Sequence, residues 1–464
     1  GATAAKVCFP KGTLILTNEG HKEIEKINTG EIIINHIGRC ERINKIYKRP
    51  HIGNLIRLKA RGLLSDLLVT EEHPLMTTMK HPKNLRGPGR KIVNVGLFKK
   101  ASDFRVKQPL LMPIDTQVLD VKSIELLKYV PYWKPKFCRY DVFSGIPKEI
   151  PVEYNLLTLI GWYVAEGSGA SHQLNFVLNG NETNHASEIG RCMRELFHKT
   201  PSFKTVISKT GSSLRIVISS VVLTRFFHKL CGRLAENKSF PVFCERLPLD
   251  KQAILLRCVW LGDGSEYKVH DKRTKKSYLS CKFKTISKRL AFQVQDICHR
   301  LGFITCMKME NSHERSGSFH ADAYSVLIHG DDAKTFESFI RTGVISNINR
   351  RNSKSLSLRK NIIEINGTKY IKRAIIKISN EEFSGNVYNL EVSGEHTYIA
   401  NGLAVHNCGQ GGGGFIYLMV PPVMQDSVRQ ALEGFPELDF RFSQGGAEVI
   451  YDDGRRRHAT AKAG

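Results

Sequence analysis

Short apolar runs separated by polar turns characterise the first quarter of the chain. The runs are rich in β-branched or aliphatic residues and lie at 13–17, 32–35, 55–58 and 67–70. Such runs, bounded by turn signals like Asn18-Glu19-Gly20, are typical of β-strands. A basic loop broken by proline and glycine is predicted at 80–91. The segment from residue 8 to about residue 114 is therefore predicted to be all-β.

The hydrophobic pattern changes after a connector at 131–136 that contains proline and tryptophan. Apolar residues now recur with the helical period. The predicted helical segments are 154–166, 188–198, 221–234, 251–262 and 288–301, and strand-like stretches between them lie at 174–178, 214–218 and 279–283. This mixture predicts an α+β region.

Two stretches of this α+β region match each other in register. The stretch at 159–168 aligns with the stretch at 256–265 at one constant offset, so that Glu166 matches Asp263 and small residues match small residues. Each copy is followed at a similar distance by a strand and another amphipathic helix. We interpret the shared pattern as an internal duplication.

Strand-like patterning returns after a basic hinge at 350–360. Strands are predicted at 374–378, 387–392 and 397–400, and Asn401-Gly402 is the sequence of a tight hairpin turn. The first and last segments are therefore of one kind, and the α+β region interrupts them. Further on, a glycine-rich run precedes an apolar strand, a helix pattern and a final strand, at 409–414, 415–417, 426–432 and up to 451. That run is weak evidence for phosphate binding, because linkers have the same composition.

The composition adds a strong positive charge to this picture. The 464 residues carry a formal net charge of +25, and the length favours about two to four domains. A large positive excess favours a polyanionic partner such as nucleic acid, although a basic surface can also be incidental. The eleven cysteines include no C-x-x-C pair and are scattered, as in buried free thiols of a reducing compartment. We therefore expect a cytoplasmic protein.

No targeting or membrane segment is predicted. Residues 1–7 lack the apolar stretch of a signal peptide. The longest apolar run, at 156–165, is about ten residues and too short to cross a bilayer. The chain begins without methionine, so we interpret it as part of a longer product, and we expect a monomer.

A cysteine and an asparagine–cysteine pair stand at the outer ends of the two all-β segments. Cys8 follows Val7, and Asn407-Cys408 lies near the other end. A thiol can attack the peptide carbonyl just upstream of it, and an asparagine amide can attack its own downstream carbonyl. Together these reactions would excise residues 8–407. Each residue alone would more often be a buried thiol or a turn residue, and it is the joint arrangement that favours this chemistry.

Several motifs resemble those of inteins, the family of protein-splicing elements. The stretch at 8–13 is similar to the N-terminal splicing block, and Thr70-x-x-His73 is similar to the TxxH block of the Hint fold. The stretches at 387–390 and 396–407, followed by Cys408, resemble the C-terminal blocks. The paired motifs at Glu166 and Asp263 resemble the two LAGLIDADG motifs of homing endonucleases. The resemblance covers roughly residues 8 to 407.

The resemblance implies a multidomain fold, in which an all-β, horseshoe-like Hint splicing domain is interrupted by an α+β, pseudo-two-fold LAGLIDADG endonuclease domain. The implied segments are an upstream extein at 1–7, the splicing domain at 8–115 and 361–407, the endonuclease domain at 116–360 and a downstream extein at 408–464. The joined flanks look like the glycine-rich third motif of GHMP-type sugar kinases. They are too short to hold a kinase site, so we expect no kinase activity.

For splicing, the resemblance implies a thioester at the first cysteine, transfer to the second cysteine and cyclisation of the asparagine to a succinimide. The implied catalytic residues are Cys8, Thr70, His73, His396, His406, Asn407 and Cys408. His73 would donate a proton to the departing amide nitrogen, and the other histidines would supply protons downstream. No metal or nucleotide cofactor is required. Many inteins carry aspartate where this chain has Asn389, and an amide cannot act as an anionic base.

For DNA cleavage, Glu166 and Asp263 would each end a helix and together bind Mg²⁺. Small residues four apart on each helix would allow close packing, namely Gly161 with Ala165 and Cys258 with Gly262. Candidate stabilisers of phosphate charge are Lys238, Lys282 and Lys284. Candidate contacts to the backbone of double-stranded DNA are Lys272, Arg273, Lys275, Lys276, Arg350 and Arg351. The alternatives are exposed helix-end acids and solvated lysines.

These implications lead to one predicted function and two alternatives. The prediction is a self-splicing intein that also cleaves the intein-less allele of its host gene. One alternative is an intein with a degenerate endonuclease that only binds DNA. The other is a hedgehog-like autoprocessing domain that cleaves without ligating, which the Asn407-Cys408 pair disfavours because that route needs neither residue.

Overall fold

The computed structural model describes residues 7–82, 92–133, 141–170, 172–208, 211–271, 275–315, 318–344, 361–407, 421 and 424–431. The chain divides into two compact units, Gly1–Gly411 and Gly412–Gly464. In the second unit, the described element is the helix Gln425–Ala431, close to the predicted one at 426–432. Within the first unit, residues 7–115 and 361–407 are here named the β region, and residues 116–344 the α+β region.

The elements of the first unit follow the chain in three groups. The first part of the β region contains β1 (Phe9–Pro10), β2 (Leu14–Thr17), β3 (Gly20–Glu23), β4 (Ile32–Ile34), β5 (Cys40–Ala60), β6 (Leu67–Val69), β7 (Pro74–Pro82), β8 (Ile92–Lys100) and β9 (Pro109–Pro113). The α+β region contains β10 (Ser123–Glu125), α1 (Leu126–Tyr129), β11 (Glu149–Pro151), α2 (Tyr154–Glu166), β12 (Gly167–Ala170), β13 (Gln173–Asn179), α3 (Thr183–Phe197), β14 (Ser202–Ser208), β15 (Gly211–Ser219), α4 (Val221–Cys231), α5 (Leu249–Asp263), β16 (Gly264–Asp271), β17 (Lys276–Thr285), α6 (Lys288–Arg300), β18 (Cys306–Glu310), β19 (His313–Arg315), β20 (Ser318–His320), β21 (Ala323–His329) and α7 (Asp331–Thr342). The second part of the β region contains β22 (Ile362–Ile365), β23 (Thr368–Val392), β24 (Thr397–Ala400) and β25 (Leu403–His406). None of these described helices is long and apolar enough to span a membrane.

Strands from both parts of the β region alternate within one antiparallel sheet. Along its main path the described strands follow the order β1-β23-β5-β4-β2-β24-β25-β7-β8. The core beneath it includes the buried side chains of Phe9, Leu58, Leu75, Leu390 and Tyr398. Residues far apart in sequence thus share one core, so the two parts of the β region fold as a single body.

The ribbon formed by β5 and β23 departs from the predicted series of short strands. The two strands pair from Ile375↔Ala60 to Val392↔Ile43, with two register shifts. The outer part of the ribbon is exposed, and Ile52 there is 86% exposed. Alternating burial is the signal that predicts a strand, and a ribbon exposed on both faces does not produce it.

The loop predicted at 80–91 begins too early. The backbone of β7 continues to Pro82, which pairs with Ile92 at the start of β8. Proline is tolerated there because it lies at the end of the strand. The turn between β24 and β25 agrees with its prediction, since Asn401 and Gly402 have φ values of 48° and 79°.

The α+β region contains two four-stranded antiparallel sheets of equivalent topology. Their orders are β12-β13-β15-β14 and β16-β17-β21-β18. Helix α2 ends at Glu166 directly before β12, and helix α5 ends at Asp263 directly before β16. This equivalence agrees with the internal duplication, and both helix ends lie where the sequence predicts them. The helix α7 was not predicted.

Helices α2 and α5 pack closely through small residues. A Cβ atom on Gly161 would lie 2.6 Å from the Cβ of Cys258, and a Cβ atom on Gly262 would lie 2.6 Å from the Cβ of Ala165. Carbon atoms that are not bonded do not approach this closely. The predicted small-residue faces are therefore confirmed as the contact between the two helices.

Replacing Gly161 with alanine should destabilise the α+β region by about 1–3 kcal/mol, because the new methyl group forces two packed helices apart. Chemical unfolding of the full chain measures the loss. The matched control is Gly385→Ala. There the new methyl carbon would lie 3.0 Å from Cζ of Phe383, a side-chain atom, and no second helix is in the way. An equal loss of stability in both variants would contradict a special packing role for Gly161.

Candidate active sites

The upstream junction lies at the start of β1, where Val7 and Cys8 are both buried. The backbone N–H of Cys8 donates to Thr70 Oγ1 at 2.8 Å. The carbonyl oxygen of Cys8 accepts from the backbone N–H of Thr70 at 3.1 Å and from its hydroxyl at 3.3 Å. Thr70 therefore holds both ends of the Cys8 backbone, including the amide nitrogen that would leave in an acyl shift.

His73 is fully buried beside this junction. Its backbone N–H donates to the carbonyl oxygen of Thr70 at 3.1 Å, and its ring centroid lies 4.1 Å from that of Phe9. Burial, with a smaller effect from the charge of His406, lowers the pKa of His73 to about 3, so the ring is neutral at physiological pH. Within the described residues, neither ring nitrogen has a hydrogen-bond partner. Burying an unpaired polar group is costly, and here it leaves a ring N–H available to donate.

The downstream junction follows β25. His406 Nδ1 lies 2.6 Å from the carbonyl oxygen of Asn407, which is the carbonyl that its side chain would attack. The backbone N–H of Asn407 donates to the carbonyl oxygen of His396 at 2.8 Å. With the side-chain amide turned to satisfy its neighbours, Nδ2 donates to the same His396 oxygen at 2.9 Å and Oδ1 accepts from the backbone N–H of Val392 at 3.1 Å. These hydrogen bonds hold the Asn407 side chain in one orientation, next to the main-chain carbonyl group that it would attack.

Strand pairing brings the two junctions to the same part of the sheet. β25 pairs with β7 through Val405 and Leu75, so the end of β25 lies beside the residues around His73. The effect of the His406 charge on the pKa of His73 reflects the same proximity. Cys408, the predicted second nucleophile, lies outside the described residues.

Two residues near these junctions were not singled out from the sequence. The hydroxyl of Tyr398 donates to Asn389 Oδ1 at 3.1 Å, and this oxygen also accepts from the backbone N–H of Leu390 at 2.9 Å. His36 Nδ1 lies 2.6 Å from the hydroxyl of Thr397, which pairs with the last residue of β25. Burial lowers the pKa of His36. No local motif contains His36, and Tyr398 lies within the stretch at 396–407 without a predicted role of its own. Strand pairing brings each of them to the site.

Glu166 and Asp263 lie at the ends of α2 and α5, next to the close helix contact. The Cγ of Glu166 would lie 3.2 Å from a Cβ on Gly262, the residue before Asp263. Burial, followed by the charges of Asp263 and Glu182, raises the pKa of Glu166 to about 7. Burial raises the pKa of Asp263 to about 6. Carboxyl groups shifted in this way are typical of functional sites.

Lys238 is the buried cation beside these two acids. Its Nζ donates to the carbonyl oxygen of Ala165 at 3.3 Å and lies 5.5 Å from the ring centroid of Tyr163. The pKa of Lys238 is lowered overall. Burial is the main cause, and the charges of Asp263 and Glu166 oppose it. Two carboxyl groups and one ammonium group therefore form one polar cluster at the helix ends, here named the acid site.

The other two predicted lysines have a carboxylate partner of their own. Lys282 and Lys284 lie on β17, and their Nζ atoms are 3.2 Å and 2.5 Å from the carboxylate of Glu310. Lys282 pairs with Ser265, two residues after Asp263, so it lies on the strand next to β16, which begins directly after Asp263. The sequence did not indicate that the single carboxylate of Glu310 pairs with both lysines.

The predicted DNA contacts are only partly within the described residues. Lys275 and Lys276 are exposed at the hairpin turn between β16 and β17. Lys272, Arg273, Arg350 and Arg351 lie outside the described residues.

The donor set of the acid site fits Mg²⁺. This ion prefers oxygen ligands and is usually held by one or two carboxylates, with water and phosphate oxygens completing its shell. Glu166 and Asp263 supply two carboxylates whose ionisation is opposed by burial, so a divalent cation would relieve the unfavourable charge. Among the described residues, no group of three or more His, Cys, Asp or Glu side chains could hold a metal ion.

The raised pKa values predict how stability depends on pH. The pKa of each acid in the folded chain, about 7 for Glu166 and about 6 for Asp263, exceeds its ordinary value of 4.5 or 3.8. The folded state therefore binds more protons than the unfolded state between these values, and the free energy of unfolding should fall as pH rises from about 4 to about 7. Chemical unfolding at pH 5 and pH 8 measures this slope.

Two controls separate the acid site from other titrating groups. The Asp263→Asn variant should have a shallower slope than the original chain, because one of the two acids is gone. Added Mg²⁺ at pH 8 should stabilise the original chain more than the variant. Identical slopes and identical responses to Mg²⁺ would contradict a coupled, cation-binding pair.

Comparisons with known proteins identify relatives of this chain. No family model matches it. It is 28% identical over 425 residues to the uncharacterized protein MJ0043 of Methanocaldococcus jannaschii, covering 86% of this chain and 50% of that protein. It is 25% identical over 426 residues to the ATP-dependent DNA helicase Hel308 of Thermococcus kodakarensis, covering 86% of this chain and 36% of the helicase. The chain thus spans half or less of the length of these two relatives.

Solved structures match parts of the chain. The homing endonuclease I-DmoI, in complex with DNA and Ca, matches 42% of this chain and 92% of its own at 13% identity and a TM-score of 0.30. A bacterial intein-like domain from Clostridium thermocellum matches 23% of this chain and 66% of its own at 24% identity and a TM-score of 0.17. Each of the two matches covers less than half of this chain.

Proposed function

We propose that the chain is a self-splicing intein that excises residues 8–407 and joins Val7 to Cys408. Residues 8–115 and 361–407 would form the splicing domain and residues 116–360 the endonuclease domain. Residues 1–7 and 408–464 would be the flanks that become joined. The observation that carries the proposal is that both junctions meet in one sheet, each with a histidine beside the bond that would break.

The upstream step is an acyl shift onto sulfur. The Cys8 sulfur attacks the Val7 carbonyl carbon, the carbon–nitrogen bond breaks, and the released amine takes up a proton. His73 is neutral, so one of its ring nitrogens can first take up the thiol proton of Cys8. The ring then passes this proton to the departing nitrogen, which Thr70 holds at 2.8 Å. A thioester is higher in energy than an amide, so a rigid hold on the junction favours the step.

The downstream steps release the excised segment. The acyl group passes from the Cys8 sulfur to the Cys408 sulfur. Asn407 Nδ2 then attacks its own carbonyl carbon, while His406, 2.6 Å from the carbonyl oxygen, stabilises the charge that develops there. The bond to Cys408 breaks, a succinimide remains on the excised segment, and a shift from sulfur to nitrogen forms the new peptide bond.

Intact-mass measurement of the full chain, freshly expressed under reducing conditions, tests splicing. The expected products are the excised segment 8–407 and one polypeptide that joins the two flanks. Separate flanks without a joined product would support the hedgehog-like alternative. Uncleaved precursor alone would contradict the proposal.

We also propose that residues 116–360 cleave double-stranded DNA at a specific site with Mg²⁺. Glu166 and Asp263 would hold the cation and Lys238 would face the charged phosphate. The exposed Lys275 and Lys276 would contact backbone phosphates. The supporting observation is the acid site, in which burial raises the pKa of two adjacent carboxyl groups next to a buried lysine.

A plasmid that carries the uninterrupted, joined coding sequence tests this second activity. It should be linearised in the presence of Mg²⁺ and remain intact with a chelator. A plasmid that lacks the joined sequence is the control. Binding to the joined sequence without cleavage would support the degenerate-endonuclease alternative instead.

A further inference from the structure

The side chain of Asn389 is fixed by two donors on a single oxygen. Asn389 is 1% exposed, and its Oδ1 accepts from the backbone N–H of Leu390 and from the hydroxyl of Tyr398. An amide oxygen has two lone pairs, so two donors use its accepting capacity. The amide can then offer its surroundings only the two N–H groups on Nδ2.

The strand register puts this amide opposite Cys8. Phe9 pairs with Tyr388 and Pro10 with Val387. Cys8 directly precedes this strand, so extending the antiparallel register by one residue brings it opposite Asn389. Directly opposed residues project from the same face of a sheet, with Cβ atoms about 4.5–5.5 Å apart. The charge of Cys8 also contributes, after burial, to raising the pKa of Tyr398 well above its ordinary value, so the phenol is close to the sulfur and stays protonated.

We infer that Tyr398 is a positioning residue for the upstream acyl shift, because its hydroxyl locks the Asn389 amide with nitrogen rather than oxygen towards the Cys8 sulfur. The inference rests on the proposed excision. A thiolate is the attacking form of cysteine, and a nearby N–H donor stabilises it. Asn389 would thus assist as a hydrogen-bond donor, a role open to an amide and closed to a carboxylate.

Neither Tyr398 nor Asn389 gives or takes an atom in the acyl shift. The thiol proton leaves Cys8, the sulfur bonds to the Val7 carbonyl carbon, and the bond between that carbon and the Cys8 nitrogen breaks. The released amine of Cys8 takes up one proton, so the number of protons is unchanged. Without the Tyr398 hydroxyl, only the backbone N–H of Leu390 still holds Oδ1, so the amide turns its oxygen towards the sulfur more readily. A carboxylate at 389 would present negative charge in every orientation. Both changes disfavour the thiolate, so both should require a higher pH for the same rate.

The test uses the full chain with Asn407→Ala and Cys408→Ala, which stops the reaction at the thioester. Dithiothreitol then releases residues 1–7, and the release is followed by mass from pH 6 to pH 9. Adding Tyr398→Phe should slow release about tenfold at pH 7 and move the midpoint of the pH profile upwards. Adding Asn389→Asp should move that midpoint up by about one pH unit.

The matched control is Tyr370→Phe, which removes the hydroxyl of another fully buried tyrosine of the β region. It should leave the midpoint unchanged. Among the described residues, the titratable groups around this end of the sheet include His36, His73, Tyr388, Glu395, His396 and His406, which every variant retains. Tyr398 and Tyr370 are each absent only from their own variant.

Each outcome is decisive. A slower rate with an unmoved midpoint in Tyr398→Phe would indicate a merely structural hydroxyl and overturn the inference, as would unchanged profiles in both variants. If Tyr398→Phe does not fold, the Asn389→Asp midpoint alone decides. If the starting double variant releases no peptide with dithiothreitol, the proposed excision itself fails, and this inference fails with it.

Discussion

The Asn407→Ala chain should retain its downstream segment completely over the time in which the original chain releases it. Alanine has no amide nitrogen, so His406 would polarise a carbonyl group that nothing attacks. Thr70 and His73 remain at the upstream junction, so the thioester should still form there. Intact-mass measurement should find no product that ends at residue 407, and added thiol should still release residues 1–7.

The matched control is Asn386→Ala, which removes an amide from an exposed position on β23. This variant should splice at the rate of the original chain. Release of the downstream segment from the Asn407→Ala chain would show that another group breaks the downstream bond. In that case the ordered amide beside His396 would have a structural role only.

Residues next to the proposed scissile bonds could be predicted from the sequence, because the chemistry requires them within one position of the bond. Cys8, Asn407 and His406 are of this kind. Thr70 and His73 are separated from Cys8 by a long stretch of chain, and only the resemblance pointed to them. His36 had no signal, and Tyr398 lay within the stretch at 396–407 without a predicted role. Both reach the junctions through strand pairing that the local pattern does not specify.

The fold was predictable where one face of an element is buried. The helices that end at Glu166 and Asp263 have strong patterns, and their bounds agree closely with the structure. The β5–β23 ribbon lacked such a pattern because solvent contacts both of its faces. The pairing of Lys282 and Lys284 with Glu310 was invisible for another reason, since β21 separates β17 from β18, and both side chains reach across it.

Replacing Asp263 with asparagine should reduce DNA cleavage by about a thousandfold or more, because half of the anionic ligand set for Mg²⁺ is removed. Binding to the joined DNA sequence should be retained, since the exposed Lys275 and Lys276 are unchanged. The rate at which the plasmid is converted to the linear product in excess Mg²⁺ measures cleavage, and a binding titration without Mg²⁺ measures binding. Asp250→Asn, at the exposed start of the same helix α5, is the matched control and should cleave normally.

Stability distinguishes loss of a catalytic acid from loss of structure. At pH 8 without Mg²⁺, the ionised Asp263 is opposed by burial, so its replacement by a neutral side chain should leave the chain at least as stable as the original. Asp250 lies in the first turn of α5, where negative charge is favourable, and its replacement should lower stability slightly. The inactive variant should thus be the more stable of the two. If Asp263→Asn lost both cleavage and stability, the Asp263 carboxylate would stabilise the fold. It would then not be a Mg²⁺ ligand whose burial lowers the free energy of unfolding.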